Sequence, residues 1–402
     1  MAGAEGTLSN SSDLLGFGPF DAEAMMRAAL RRAGRSAFSD TSFVEPLKLL
    51  LRSYDEEAEL SLFGRYAARF DVMRGLTNLL HLDAAEEDDP SITARPISRP
   101  VFITGLPRSA TTFLHMLLAQ DEGNAVPRCW QLIYPYAPRG RLIRADLRRT
   151  TVALQFAIFR LLSPGLGELH PLSADAPQEC TDITAQIFQS LRFDSTHHIP
   201  AYQAWLDSSD HRSAFRFHRR FLQHLDAQGR RWMLKSPDHV FALDAITTVY
   251  PDAEVVFLHR DPLEVIASCA RLTETLRRPF TRRIDRAEIG RQVSNRLIES
   301  AEQMVAALAR PGAERFLHLH YRRVVSAPME TVKELYRHCG LTLNREAERC
   351  MKAWLAKPPQ NGARRYSLAE YGLDADYLRG RFARYVETFG VGAQPELAVD
   401  AA

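Results

Sequence analysis

Short apolar runs alternate with amphipathic stretches from about residue 99 onward. Four of these runs are short, continuous and rich in branched or aromatic residues, and each is followed by polar residues and then by helical spacing. They predict buried strands at 100–104, 231–235, 254–260 and 315–321. Strands that alternate with helices in this way predict an α/β fold with a parallel, doubly wound sheet and helices on both faces.

The rest of the chain has helical periodicity without strand alternation. From about residue 21 to about residue 82, apolar side chains recur three and four positions apart, which predicts an N-terminal helical region over 19–95. The acidic stretch 84–90 ends in proline and predicts a linker to the main domain, 96–392. A helical insertion is predicted over 129–228, and flexible tails over 1–18 and 393–402.

Composition narrows the class of protein. The 402 residues carry a net charge of +2, which is too balanced to indicate a nucleic-acid partner. The five cysteines are scattered and odd in number, without a C-x-x-C pair, so we expect reduced thiols instead of disulfides or a zinc site. Reduced thiols are typical of a cytoplasmic protein, and we expect that location. Since the chain has no run of 18 apolar residues and no signal-peptide pattern, we expect no membrane span.

The segment 105–112, Gly-Leu-Pro-Arg-Ser-Ala-Thr-Thr, lies between the first predicted strand and a predicted helix. A tight turn leading into a helix N-terminus is suited to bind anions, because free amides and the helix dipole point to one place. Compared with the Walker pattern, Gly105 and Thr112 fit, but Ala110 replaces glycine and Thr111 replaces lysine. Arg108 supplies a cation inside the loop. The segment therefore predicts a P-loop-like phosphate cradle that differs from those of nucleoside triphosphatases.

Two further cations follow predicted strands. Lys235 ends the second strand and Arg260 ends the third, so both should lie at the same sheet edge as Arg108. Three cations at one edge suit a ligand with several separate anionic groups. A magnesium-dependent NTPase would instead need an acidic side chain at that edge to bind the metal. Asp261 is such a residue, but because Pro262 follows it we expect it to cap the next helix.

These segments resemble the sulfotransferases that use 3′-phosphoadenosine-5′-phosphosulfate (PAPS). Segment 105–112 is similar to their 5′-phosphosulfate loop, 259–268 to their 3′-phosphate motif, and 235–237 to a further family segment. The resemblance extends over about residues 60–390, including 365–373. It implies a fold of the P-loop NTPase-like type, PAPS as donor cosubstrate, no metal, and transfer of a sulfuryl group to an acceptor hydroxyl.

The resemblance also implies roles for particular residues. Arg108 and the loop would hold the 5′-phosphosulfate, Arg260 and Ser268 the 3′-phosphate, and Lys235 would stabilise charge on the leaving group. Arg365 and Tyr366 would close over the 3′-phosphate, although a purely structural role is as compatible with the sequence. The implied donor-binding residues are Gly105, Pro107, Arg108, Ser109, Ala110, Thr111, Thr112, Arg260, Ser268, Arg365 and Tyr366.

The general base is not fixed by the motifs. Family members often have Trp-Glu where this chain has Trp130-Gln131, and a glutamine amide cannot accept a proton at neutral pH. Either Gln131 only positions the acceptor or another group is the base. The polar stretch 170–179 offers His170 and Glu179, so the predicted catalytic residues are Lys235, Arg108, Glu179 and His170.

Several alternatives stay open at this point. Glu179 could simply be a first-turn helix carboxylate, His170 and His115 could be packing residues, and the arginines at 277–291 could form a solvated face or a lid. The acceptor could be a small molecule, a lipid or a glycan; aromatic residues in the insertion favour a bulky apolar acceptor, and core packing explains them equally well. The rival functions are a P-loop kinase or NTPase and a non-catalytic bisphosphate-binding protein. Oligomeric state is open.

Overall fold

A five-stranded parallel sheet forms the centre of the protein in the computed structural model, which describes residues 18–137, 146–163, 173–357 and 366–392. All neighbouring strands in this sheet are parallel. The four predicted strands are confirmed to within one residue at each end, and a two-residue strand was missed. The strands are Val101–Gly105 (β1), Asn124–Ala125 (β2), Arg231–Lys235 (β3), Glu254–His259 (β4) and Phe316–His320 (β5). Their order in the sheet is β2-β3-β1-β4-β5.

Helices make up most of the remaining described chain. In order they are Ala22–Ala33 (α1), Val44–Glu56 (α2), Leu62–Asp88 (α3), Thr111–Leu118 (α4), Cys129–Ile133 (α5), Arg148–Leu162 (α6), Thr181–Thr184 (α7), Arg192–Thr196 (α8), Pro200–Ser208 (α9), Arg212–Leu225 (α10), Leu243–Val249 (α11), Pro262–Arg277 (α12), Arg286–Ala307 (α13), Tyr321–Ser326 (α14), Pro328–His338 (α15), Arg345–Leu355 (α16) and Ala375–Phe389 (α17).

Both faces of the sheet are covered, which explains why the strands are continuously apolar. Along β1, Phe102 belongs to one buried cluster while Val101 and Ile103 belong to another. The cluster around Phe102 includes side chains from α1–α3, the insertion, α12, α13 and α17; the other includes α4, α14, α15 and α16. The predicted fold class, with helices on both faces, is therefore confirmed.

The predicted linker at 84–90 is wrong, because α3 continues to Asp88. Asp83 and Glu86 lie on this helix and pair with Arg220 of α10 at 2.6 and 2.7 Å. The acidic run is thus mainly the end of a helix, with Glu86 paired to the insertion and Glu87 paired to Arg35 after α1. Pro90 begins a short 3₁₀ turn, Pro90–Ala94, that leads to β1.

The arginines at 277–291 do not all form a solvated face. Arg277 is buried and donates to Gln292 and to the backbone oxygen of Asp194, and it pairs with Glu288. Arg282 and Arg283, in contrast, are exposed. The tails predicted at 1–18 and 393–402 lie outside the described residues except for Gly18, and the predicted domain boundaries stay predictions.

Candidate active site

The loop after β1 turns sharply because of three unusual backbone conformations. Gly105 has φ 138°, and a Cβ there would lie 2.2 Å from the carbonyl oxygen of Leu258 in the neighbouring strand. Arg108 and Ala110 have φ of 66° and 68°, in the left-handed region that favours glycine. Ala110 thus adopts, without being glycine, the conformation expected where the Walker pattern has one. Strain of this kind is concentrated at functional sites.

The loop ends at the N-terminus of α4, which supplies anion-binding donors. The first-turn amides of Thr111, Thr112 and Phe113 have no carbonyl partner among the described contacts, as is usual at a helix start. Ser109 is buried and its hydroxyl donates to the carbonyl oxygen of Leu106, so it holds the loop together. Together with Arg108, these amides have the arrangement expected of a phosphate or sulfate cradle, and binding of such a group here stays a prediction.

Lys235 connects the cradle with the insertion. Its side chain is 2% exposed, and its Nζ donates to Thr112 Oγ1 at 3.1 Å and to Glu179 Oε1. Lys235 is therefore a buried lysine at the sheet edge, and not a surface one. Glu179 is held here because the next amide, that of Cys180, donates to the carbonyl oxygen of Lys235 at 3.0 Å. Helix α7 begins at Thr181, so Glu179 precedes it.

Arg260, at the end of β4, lies against the same loop. Its Nη1 donates to the carbonyl oxygen of Arg108 at 2.8 Å and its Nε donates to Glu264 at 2.9 Å. Asp261 caps α12 as predicted, accepting from the amide of Leu263. The three predicted cations, on the β1 loop, β3 and β4, are therefore at one sheet edge.

Ser268 lies half-buried on α12. Burial raises the pKa of the adjacent Cys269 thiol to about 12, while the charges of Arg108 and Arg260 oppose this rise. The shared 3′-phosphate site of Arg260 and Ser268 stays a prediction.

The sequence reasoning missed the end of β5. The Arg260 guanidinium lies 3.9 Å from the ring centroid of Tyr321, a cation–π contact. Polar residues follow β5 just as they follow the other strands, so the same signal could have found Tyr321. A cavity of about 250 Å³ opens here, lined by His259, Arg260, Asp261, Glu264, His320, Tyr321, Arg322, Gly390, Val391 and Gly392.

Two histidines near the site are packing residues. His115 is buried and its Nε2 lies 3.0 Å from the carbonyl oxygen of Met233; burial, followed by the charge of Lys235, lowers its pKa to about 3. The His259 ring stacks on the Phe389 ring with 3.8 Å between the ring centroids, and burial lowers the pKa of His259 to about 2. Both are neutral at physiological pH, and they pack α4 against β3 and β4 against α17.

The remaining predicted residues have different outcomes. Gln131 Oε1 accepts from the amide of Arg128 at 3.0 Å, so it caps α5. His170 and Arg365 lie outside the described residues. Tyr366 is half-buried at the start of segment 366–392, and its role stays a prediction. Within the described ranges, no group of three or more His, Cys, Asp or Glu side chains is placed to hold a metal.

The chain belongs to the sulfotransferase family, whose sequence pattern it matches over residues 100–345. The structure resembles sulfotransferase STF1 from Mycobacterium tuberculosis, with 32% identity, 91% of this chain and 99% of that one covered, and a TM-score of 0.79. It also resembles sulfotransferase STF9 from Mycobacterium avium, with 28% identity, coverages of 94% and 100%, and a TM-score of 0.83. The predicted family is therefore confirmed.

A curated relative matches over part of its length. The omega-hydroxy-beta-dihydromenaquinone-9 sulfotransferase Stf3 of Mycobacterium bovis and of Mycobacterium tuberculosis is 24% identical over 259 residues. The match covers 60% of this chain and 63% of the relative.

Proposed function

We propose that the protein transfers the sulfuryl group of PAPS to an acceptor hydroxyl. One observation carries this proposal: Lys235 Nζ contacts Thr112 of the phosphate cradle and the carboxylate of Glu179 at the same time. A buried cation thus stands between an anion-binding loop and a carboxylate. Sulfuryl transfer needs these three elements to hold the donor, to stabilise the leaving group and to accept a proton.

The donor would be held at two anionic ends. Arg108 and the α4 amides would bind the 5′-phosphosulfate, while Arg260 and Ser268 would bind the 3′-phosphate. Arg260 now donates to Glu264, whose side chain is 39% exposed and can turn to solvent when a phosphate takes its place. The guanidinium fork suits a phosphate better than an ammonium group would.

The chemistry follows from the position of Lys235. The acceptor oxygen forms a bond to sulfur, and the bond from sulfur to the bridging phosphate oxygen breaks as adenosine 3′,5′-bisphosphate leaves. Lys235 would stabilise the charge that develops on that bridging oxygen. Glu179 would accept the proton of the acceptor hydroxyl. Because Glu179 supplies a carboxylate, the glutamine at position 131 does not leave the site without a base, which favours catalysis over mere bisphosphate binding.

We propose an apolar alcohol, such as a lipid with a terminal hydroxyl, as acceptor. The residues around α5 on the way to Glu179 are apolar: Trp130, Tyr134 and Phe156 pack with Ala174. The curated relative is named for a hydroxylated menaquinone, which is an acceptor of this class. All five cysteines are free and four are buried, which supports a cytoplasmic location as part of the same proposal.

The test is transfer of labelled sulfate from PAPS to a panel of acceptors. Long-chain primary alcohols, phenols and sugars are compared, with and without a metal chelator, and Lys235→Ala is the control. We expect labelled product with the alcohols and a loss of about two orders of magnitude or more in the control. If the bisphosphate binds but no acceptor is labelled, the protein is a binding protein and the proposal is wrong.

A further inference from the structure

Helix α6 exposes its apolar side chains instead of burying them. Leu154, Ile158 and Leu161 follow one another at helical spacing, and Leu154 and Leu161 are 62% and 81% exposed. Val152 is the only fully buried residue of this helix. An ordinary surface helix has the opposite arrangement, with its apolar face towards the core.

The N-terminal part of α3 has the same property and lies beside α6. Leu62 and Tyr66 are 69% and 64% exposed, and Phe70 is also exposed. The two helices are joined by Phe280, whose ring stacks on Phe63 of α3 at 5.9 Å and on Phe159 of α6 at 5.7 Å. The exposed apolar residues of the two helices that Phe280 joins are here called the apolar patch: Leu62, Tyr66, Phe70, Leu154, Ile158 and Leu161.

Exposed arginines occur on α6 and in the segment next to Phe280. Helix α6 has three arginines and no acidic residue, although the whole chain has a net charge of only +2. Arg160 on α6 and Arg282 beside Phe280 are exposed and have no acidic partner among the described side chains. Arg149, Arg278 and Arg283 are also exposed, each with one acidic partner. The exposed apolar residues are therefore accompanied by several arginines, and the exposed Glu59, whose carbonyl oxygen accepts from the Arg282 amide, is an acidic residue at the same place.

We propose that the apolar patch docks on a lipid bilayer surface that contains anionic phospholipids. The leucines and aromatic rings would enter the boundary between headgroups and acyl chains, and the arginines would contact lipid phosphates. A second copy of this chain fits less well, because a symmetric contact would bring the exposed arginines of both copies together. None of the helices in the described ranges is long and apolar enough to cross a membrane, so the contact would be peripheral.

The position of the patch connects it with the candidate active site. Helix α6 packs on α5, where Arg148 lies 4.7 Å from the ring centroid of Trp130 and Gln155 donates to the Tyr134 hydroxyl. Trp130 in turn donates through its amide to Ala174, in the segment that leads to Glu179. A lipid alcohol in the bilayer would therefore meet the protein beside its insertion. Binding to a bilayer does not depend on the proposed reaction and can be measured without donor or acceptor.

The experiment is co-sedimentation of the full chain with vesicles, either of phosphatidylcholine alone or with about one third phosphatidylglycerol. We expect binding to the anionic vesicles at a lipid concentration lower by about tenfold or more. The double variant Leu154→Glu/Leu161→Glu should lose about tenfold or more in affinity for both. Arg160→Glu/Arg282→Glu should lose the preference for anionic vesicles.

The matched control is Leu308→Glu/Val325→Glu, which places charges at two apolar residues of 44% and 49% exposure outside the patch and should leave vesicle binding unchanged. Binding of adenosine 3′,5′-bisphosphate checks that every variant is folded. The proposal is overturned if the wild-type chain ignores both kinds of vesicle, or if the patch variant binds as well as the control. It is also overturned if light scattering shows a dimer that only the patch variant dissociates, because the patch would then be a self-association surface.

Discussion

Replacing Glu179 with glutamine removes a carboxylate while leaving an oxygen in contact with Lys235. The proposed base is then lost, but the lysine keeps an acceptor beside Thr112. We therefore expect a large loss of turnover with a small loss of stability. Because adenosine 3′,5′-bisphosphate is held by other residues, its affinity should stay within about threefold of the wild-type value.

The magnitudes follow from the exposure of the pair. The Glu179 side chain is 26% exposed, so solvent screens part of its attraction to Lys235, and we expect a loss of about 1–2 kcal/mol in the free energy of unfolding. A general base contributes about 10²- to 10⁴-fold to rate, or about 2.7–5.4 kcal/mol of activation free energy. The loss in rate should thus exceed the loss in stability.

The assay is the single-turnover formation of adenosine 3′,5′-bisphosphate from PAPS with a long-chain primary alcohol, measured across pH. Glu264→Gln is the matched control, because Glu264 is the carboxylate paired with Arg260, another cation of the site. The control should keep the wild-type rate within about threefold. If Glu179→Gln also keeps that rate, or if both variants lose rate equally, Glu179 is not the base.

Three further changes have defined outcomes. Arg260→Ala should weaken binding of adenosine 3′,5′-bisphosphate in calorimetry by about tenfold or more, and unchanged affinity would refute its 3′-phosphate role. Gly105→Ala should lower the free energy of unfolding in a urea titration by more than about 3 kcal/mol, because its Cβ would lie 2.2 Å from a backbone oxygen. Gly34→Ala is the control: Gly34 has φ 64° and open space around it, so the same titration should show a loss of only about 1 kcal/mol. Burial lowers the pKa of His115 to about 3, below its ordinary 6.5, so the unfolded chain takes up a proton there first as pH falls. The contribution of the neutral His115 to the free energy of unfolding is complete above pH 6.5 and is lost between pH 6.5 and pH 3 by about 1.4 kcal/mol per pH unit. In His115→Gln the free energy of unfolding should therefore fall less steeply as the pH is lowered, and a fall as steep as in the wild-type chain would contradict the burial argument.

The sheet could be predicted because its strands are buried on both faces and therefore read as continuous apolar runs. β2 could not, since two residues are too short to have a pattern. The acidic end of α3 was misinterpreted because its charge partners are distant in the sequence: Arg220, which pairs with Glu86, is more than a hundred residues away, and Arg35 pairs with Glu87 from 52 residues away. Local composition alone indicates a linker here, because it does not show charge partners that are distant in the sequence.

The candidate site shows the same division. Arg108 and Arg260 follow strands and Lys235 ends one, so parallel topology alone predicts that the three share an edge. The contact between Lys235 and Glu179 depends on one backbone hydrogen bond from Cys180 to β3, and no local pattern indicates it. The apolar patch was missed for a different reason, because helical periodicity shows that one face is apolar but does not show whether that face points inward or outward.

The most direct test of the central claim is calorimetric titration of the full chain with adenosine 3′,5′-bisphosphate, in parallel with ATP and magnesium. We predict binding of the bisphosphate that is unchanged by a metal chelator and weakened in Arg260→Ala, with no comparable binding of ATP and magnesium. Binding of ATP with magnesium in place of the bisphosphate would contradict the account and would make the loop at 105–112 a nucleoside triphosphate site.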